Sequence, residues 1–130
     1  MYSDAMVYDW SAFTILIVED DVSSTFYLKE VLKDTRAEIL HAPDGQQALD
    51  LCISNPSINI ILMDIKMPVM NGIDATIAIK RIRPNIHIIA QTANSMYDHH
   101  IQCLEAGCTD FIVKPVDSVE LLLIISNYLK

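Results

Sequence analysis

Glu19, Asp20 and Asp21 follow the apolar run 14–18, and Asp64 follows the run 59–63. Thr92 stands just past a third run, 86–90, and Lys114-Pro115 follow a fourth, 109–113. Three or four carboxylates, a hydroxyl and an amine can do chemistry together if folding gathers them. Carboxylates held close cannot all remain ionised without compensation. A hard divalent cation with oxygen ligands supplies it, and a lysine adds a movable positive charge. Mg²⁺ keeps waters and takes one or two carboxylates plus phosphate oxygens, so such a cluster suits a phosphate group. An aspartate can also act as the nucleophile and carry an acyl phosphate. Residue types and positions therefore point to metal-assisted phosphoryl chemistry.

To gather these groups, the strands must end at one rim. The four runs are short and rich in Ile and Val, as parallel strands covered on both faces are. Residues 37–42 are less uniformly apolar and suit an edge strand. Helical patterns lie between. Tyr27, Leu28, Val31 and Leu32 mark one face of a helix over residues 22–34, and Ala48, Leu49 and Cys52 mark a second after Asp44-Gly45. Ile73, Ile77 and the Lys80 stem mark a third, opened by Asn71-Gly72 and closed near Pro84. Met96, Ile101 and Leu104 mark a fourth, with Asn94 or Ser95 as cap and Gly107 as stop. The fifth runs from Asp117, its N-cap, through Leu121, Leu122, Ile125 and Leu129. Five βα units predict one α/β domain over residues 14–130 with a central parallel sheet. Residues 1–13 read as a tail or interdomain linker, its end tacked down by Trp10 and Phe13. Ligands of open parallel sheets sit beyond the strand C-termini, where the residues above are expected.

Composition narrows the function. A chain of 130 residues, 52% apolar and 20% charged, can bury a core without disulfides or a structural metal. Its net charge of −8 argues against direct nucleic-acid binding, which requires a basic footprint. No apolar run approaches a membrane span and no signal-peptide pattern opens the chain, so a cytoplasmic domain without membrane contact is expected. Cys52, Cys103 and Cys108 lack metal or redox spacing and read as reduced core residues.

The segments ILIVEDD, LMDIKMPVMNG, AQTAN and AGCTDFIVKP together resemble the receiver domains of two-component response regulators. The resemblance runs in order through residues 14–129. It implies a single flavodoxin-like (βα)5 doubly wound domain whose five-stranded parallel sheet has the order 2-1-3-4-5. It also implies that Asp64 is the phosphoacceptor, taking a phosphoryl group from the phosphohistidine of a histidine kinase or phosphotransfer domain. By the same resemblance, Asp20 is the main Mg²⁺ carboxylate, with Mn²⁺ able to substitute. Glu19 reaches the ion through water, and the Lys66 backbone carbonyl is a further ligand. Lys114 pairs with the phosphoryl oxygens, and the Lys114-Pro115 bond is often cis in such proteins. Thr92 is the switch hydroxyl and Phe111 the aromatic whose rotamer follows it.

Phosphorylation would then shift a population between two packings and change the surface of the fourth helix, fifth strand and fifth helix, where a downstream protein binds. Lys66 and Asn94 are expected to tune the phosphoryl lifetime by gating the attacking water; a solvated loop lysine is the plain alternative for Lys66. The stretch YDWSAFTILIVEDD, with MDIKMPVMNG and IIAQTAN, resembles receivers at the C-terminal end of bacterial hybrid sensor histidine kinases. A free-standing single-domain regulator is the alternative; without an output domain after Lys130, either that or a fragment of a larger protein is expected. Such a chain is expected to load and lose its own phosphoryl group rather than turn over a substrate.

Other readings are weaker. Phosphatases of the haloacid dehalogenase type use a DxD pattern, but here Lys66 takes the place of the general acid. No GxxxxGK[ST] or GxGxxG loop is present, which removes a nucleotide-binding reading. Adjacent His99 and His100 cannot act as an i,i+4 metal pair, and His41 and His87 are isolated, so all four read as structural or surface residues. Met63, Met67 and Met70 read as packing, as do the apolar residues 121–125. Phe26 falls off its helix's apolar face and either rims the core or meets a kinase helix.

Overall fold

The Ile- and Val-rich runs form the middle of a sheet. The computed structural model describes residues 8–67, 70–93 and 97–129. Strands and helices alternate as β1 (Thr14–Val18), α1 (Val22–Leu32), β2 (Glu38–Ala42), α2 (Gly45–Ser54), β3 (Ile58–Asp64) and α3 (Gly72–Ile82). They continue as β4 (His87–Thr92), α4 (Tyr97–Ala106), β5 (Asp110–Val113) and α5 (Ser118–Ser126). Every strand pairing is parallel, in the order β2-β1-β3-β4-β5. This is the doubly wound arrangement expected, with the half-buried β2 at one edge.

Two apolar layers hold the sheet between helices. Leu16, Val18, Ile61, Met63, Ile88 and Ala90 pack with Ala48, Cys52, Ala75, Ile79 and Cys103 of α2, α3 and α4. Ile15, Ile17, Ile60, Leu62, Ile89 and Ile112 pack with Leu28, Leu32, Leu121, Leu122 and Ile125 of α1 and α5. Side chains alternate across a strand, so burial of both faces produces runs that look uniformly apolar in sequence.

The chain leading into β1 belongs to the second layer. Trp10 is buried there, and its N–H donates to the Thr35 carbonyl at 2.7 Å. Glu38 N–H donates to the Phe13 carbonyl at 3.0 Å, next to the start of β2.

Helix starts follow the expected chemistry. Asp21, Asp44, Asn71 and Asp117 each accept a hydrogen bond from the backbone N–H three residues on. Gly107, at φ 115°, stops α4 with backbone that disfavours side chains. Helix faces needed more correction. Thr25, Leu28 and Leu32 are the buried face of α1, while Tyr27 is 41% exposed. Ala75, Thr76 and Ile79 carry α3 inward, and Ile77 is 38% exposed. Leu104 on α4 is 49% exposed, with Cys103 buried in its place. Thr25, Ala75, Thr76 and Cys103 share these faces with Leu28, Leu32 and Ile79, and the larger Tyr27, Ile77 and Leu104 one or two positions away are left at the margin. The first helix also ends at Leu32, with a 3-10 turn over Lys33–Thr35 in place of a last α-turn.

Candidate functional site

Four polar residues continue the apolar rows of the α1–α5 face at the C-terminal edge of the sheet. Glu19 lies two past Ile17, Asp64 two past Leu62, Gln91 two past Ile89 and Lys114 two past Ile112, the spacing that keeps one face of a strand. Strand order sets their neighbours, and Asp64 is paired in register with Gln91.

Lys114 reaches across this edge. Its Nζ lies 3.4 Å from Asp64 Oδ1 and 3.3 Å from Glu19 Oε2. Oxygens of Glu19, Asp20 and Asp64 fall within 4.8 Å of one another, with Glu19 and Asp64 buried and Asp20 exposed. The cleft around them has a volume of about 490 Å³. Asp21 is not in this cluster, because its carboxylate is taken by the Ser24 N–H as the cap of α1, at 2.7 Å. That bond holds the Asp21 carboxyl below its ordinary range.

Burial raises the Glu19 pKa, and the neighbouring Asp64 charge adds to the rise against the pull of Lys114. Burial by itself would depress the Lys114 ammonium, but Asp64 and then Glu19 outweigh it and the pKa is raised. Glu19 and Asp64 thus share one ammonium, with an Asp20 oxygen alongside them. The all-oxygen donor set, open to solvent at Asp20, fits a hard divalent cation of the Mg²⁺ kind.

The loop after Asp64 is tied to it. Lys66 N–H donates to Asp64 Oδ1 at 3.2 Å, while the Lys66 side chain is exposed. Gly72 N–H donates to the Ile65 carbonyl at 2.9 Å, and a Cβ at Gly72 would collide with the Asp64 carbonyl oxygen. The α3 start therefore presses directly on the backbone of Asp64, which explains why glycine stands there.

On the other side, Thr92 is buried, and its carbonyl accepts from Lys114 N–H at 2.7 Å. Phe111 is half-buried, and its ring stacks on His100 with 3.8 Å between centroids. The Lys114-Pro115 bond is cis. Asn94, Ser95 and Met96 lie outside the described residues, as does the side chain of His99. Among the remaining histidines, His41 Nε2 lies 2.8 Å from the Glu19 carbonyl and His87 packs on Tyr128. Phe26 is 65% exposed on α1.

The structure brings Glu19, Asp20, Asp64 and Lys114 into one constellation with the Lys66 backbone beside it. Sequence reasoning passed over Gln91 and read His100 only as a structural or surface residue. The signal for Gln91 was an amide that follows the apolar run 88–90 within β4. For His100 there was none, because its contact comes from another element.

A family model described as the response regulator receiver domain matches residues 15–126. The chain belongs to this family. The receiver domain is 37% identical over 111 residues to hybrid signal transduction histidine kinase I of Dictyostelium discoideum, covering 79% of this chain and 6% of that protein. A solved CheX–CheY complex with BeF₃ and Mg²⁺ from Borrelia burgdorferi matches with TM-score 0.84 and 31% identity, over 91% of this chain and 90% of that one. The Ssk1 receiver domain of Saccharomyces cerevisiae, solved with the histidine phosphotransfer protein Ypd1, matches with TM-score 0.85 and 26% identity. That match covers 90% of this receiver domain and 88% of the other chain. Among the described residues, no helix is long and apolar enough to cross a membrane.

Proposed function

We propose that this receiver domain takes a phosphoryl group from a phosphohistidine onto Asp64, in the presence of Mg²⁺, and passes the change to its α4–β5–α5 surface. The observation that carries this reading is the buried Asp64 carboxylate, held between Lys114 and the acidic pair Glu19 and Asp20. In the transfer, an Asp64 carboxylate oxygen bonds to phosphorus as the bond from phosphorus to the donor imidazole nitrogen breaks. The electron pair returns to the imidazole.

Asp20 and Asp64 are the carboxylates that would hold the ion, with the Lys66 carbonyl as a further oxygen and Glu19 acting through water. Bound Mg²⁺ supplies charge neutralisation for the phosphoryl oxygens. Lys114 is already at the position to do likewise from the β5 side. Thr92 then donates to a phosphoryl oxygen, and Phe111 follows it, leaving its place against His100. Lys66 and Asn94 tune how long the group lasts. The complex of a related receiver with a phosphotransfer protein supports a donor of that class. Likeness to a hybrid kinase supports a place within a hybrid sensor histidine kinase, on its cytoplasmic side.

Intact-protein mass after incubation with acetyl phosphate and Mg²⁺ tests the reading. One added phosphoryl group is expected, absent without Mg²⁺ and absent in Asp64→Asn. Equal mass gain in Asp64→Asn would place the acceptor elsewhere. No gain in the native protein, together with no beryllofluoride-induced shift of the Thr92 amide resonance, would sink the phosphoacceptor role.

A further inference from the structure

Lys114 reaches the acceptor from a short stretch of chain with few ties. Its own N–H donates to the Thr92 carbonyl at 2.7 Å, and three residues on Asp117 caps α5. Between these points, Pro115 has no N–H to give. Among the described residues, the one hydrogen bond that residues 115–116 take from the rest of the protein comes from α1, where the Tyr27 hydroxyl donates to the Val116 carbonyl at 2.8 Å.

That bond joins the two sides of a cavity. The cavity, of about 420 Å³, lies between α1 and the chain after β5, with Tyr27 and Leu28 on one wall and Pro115 and Val116 on the other. The Val116 side chain packs partly on the α1–α5 layer, and its carbonyl is fixed by the hydrogen bond. Tyr27 is 41% exposed and stands off the buried face of α1, so its hydroxyl is what ties that helix to the chain after β5.

We propose that Tyr27 is a positioning residue for phosphoryl transfer: by holding the Val116 carbonyl, its hydroxyl keeps the Lys114 ammonium directed at Asp64. The inference rests on Asp64 as the acceptor. Lys114 Nζ stands 3.4 Å from Asp64 Oδ1 and 3.3 Å from Glu19 Oε2, the edge at which it must meet a phosphoryl oxygen. A group misplaced by about 1 Å can cost about a hundredfold in rate, although a flexible lysine stem takes up part of a backbone shift. The carboxylates that would hold the ion stand elsewhere. Glu19 and Asp20 follow β1 and Asp64 ends β3, so loss of the Tyr27 bond should leave them in place.

The test is Tyr27→Phe in the full chain, which removes the hydroxyl and keeps the ring. Loading by acetyl phosphate at saturating Mg²⁺, followed by intact-protein mass, is expected to slow about two- to tenfold, the scale of one neutral hydrogen bond. Beryllofluoride, whose fluorines stand in for phosphoryl oxygens, should bind more weakly by a similar factor, while the Mg²⁺ dissociation constant stays the same. In a Lys114→Met background, Tyr27→Phe should make no further difference to beryllofluoride affinity, because the group through which it acts is gone. If Lys114→Met binds no beryllofluoride, the contrast between the beryllofluoride and Mg²⁺ constants decides. Equal loading rates in the native protein and Tyr27→Phe would overturn the inference. So would an equal loss of Mg²⁺ affinity, the mark of a general loosening, or an undiminished effect of Tyr27→Phe beside Lys114→Met. If the native protein neither gains mass nor binds beryllofluoride, the Asp64 reading fails and this inference fails with it.

Discussion

The Lys114 ammonium lies 3.4 Å from Asp64 Oδ1, reaching over β4 from β5 to β3. It touches Glu19 as well, so a single side chain ties the fifth strand to the two strands at the centre of the sheet. Lys114→Met should therefore leave two buried carboxylates facing each other. The expected result is a loss of about 1–3 kcal/mol at pH 7, smaller at pH 5, where Glu19 takes up a proton more readily. Urea unfolding at both pH values checks this; equal losses would show that the carboxylates are not in conflict.

Metal addition should act in the opposite direction. Three acidic oxygens within 4.8 Å repel in the free protein, and a bound dication relieves them. Mg²⁺ at a hundred times its dissociation constant should stabilise the native protein by about 2.7 kcal/mol. Asp20→Ala should remove most of that gain while leaving the metal-free protein no less stable. Thermal melts with and without Mg²⁺ make the comparison.

The stack of His100 on Phe111 predicts an energetic coupling. Aromatic pairs of this kind contribute about 0.5–1.5 kcal/mol beyond their buried area. A double-mutant cycle with His100→Ala and Phe111→Ala should return a coupling of that size. Additive losses would mean that the contact has no energetic content, and that Phe111 is free to turn without breaking it.

Trp10 offers a test of the segment before β1. It is the one tryptophan in the sequence and is buried in the core under α1 and α5. Native fluorescence should be blue-shifted and move to the red on unfolding. Trp10→Ala should cost about 3–5 kcal/mol, the range for removing a large buried ring. A loss below about 1 kcal/mol would contradict its burial.

The buried thiols predict alkaline sensitivity. Burial pushes Cys52 up to about 11 and Cys108 up to about 12. The unfolded chain releases these protons near pH 9, while the folded chain keeps them, so the unfolded state binds fewer protons in that window. Stability then falls as pH rises above about 9, with a slope approaching about 1.4 kcal/mol per pH unit for each thiol. Urea midpoints from pH 8 to 10.5 should show a flatter fall in the Cys52→Ala/Cys108→Ala variant. An unchanged slope would assign the effect to other groups.

Much of this protein was legible in its amino-acid order. Short β-branched runs separated by capped amphipathic stretches specify alternating strands and helices, because strand and helix periods and capping preferences are local. The acidic pair after β1, the aspartate after β3 and the lysine after β5 were equally visible, since a parallel sheet must bring strand C-termini to one rim.

Tertiary packing decided the rest. Asp21 and Asp20 are adjacent acidic residues, but helix capping takes one and leaves the other to the cluster. Tyr27, Ile77 and Leu104 follow helical spacing, yet the buried positions went to neighbours one or two positions away. Gly72 reads as a helix opener, whereas its contact with the Asp64 backbone exists only once β3 and α3 meet. The burial of Gln91 Nε2 without a hydrogen-bond partner among the described residues, and the stack of His100 on Phe111, depend on side chains that are distant in sequence. Periodicity constrains one element at a time. Which partner meets which residue is set by the packing of several elements at once, and only the folded structure contains that information.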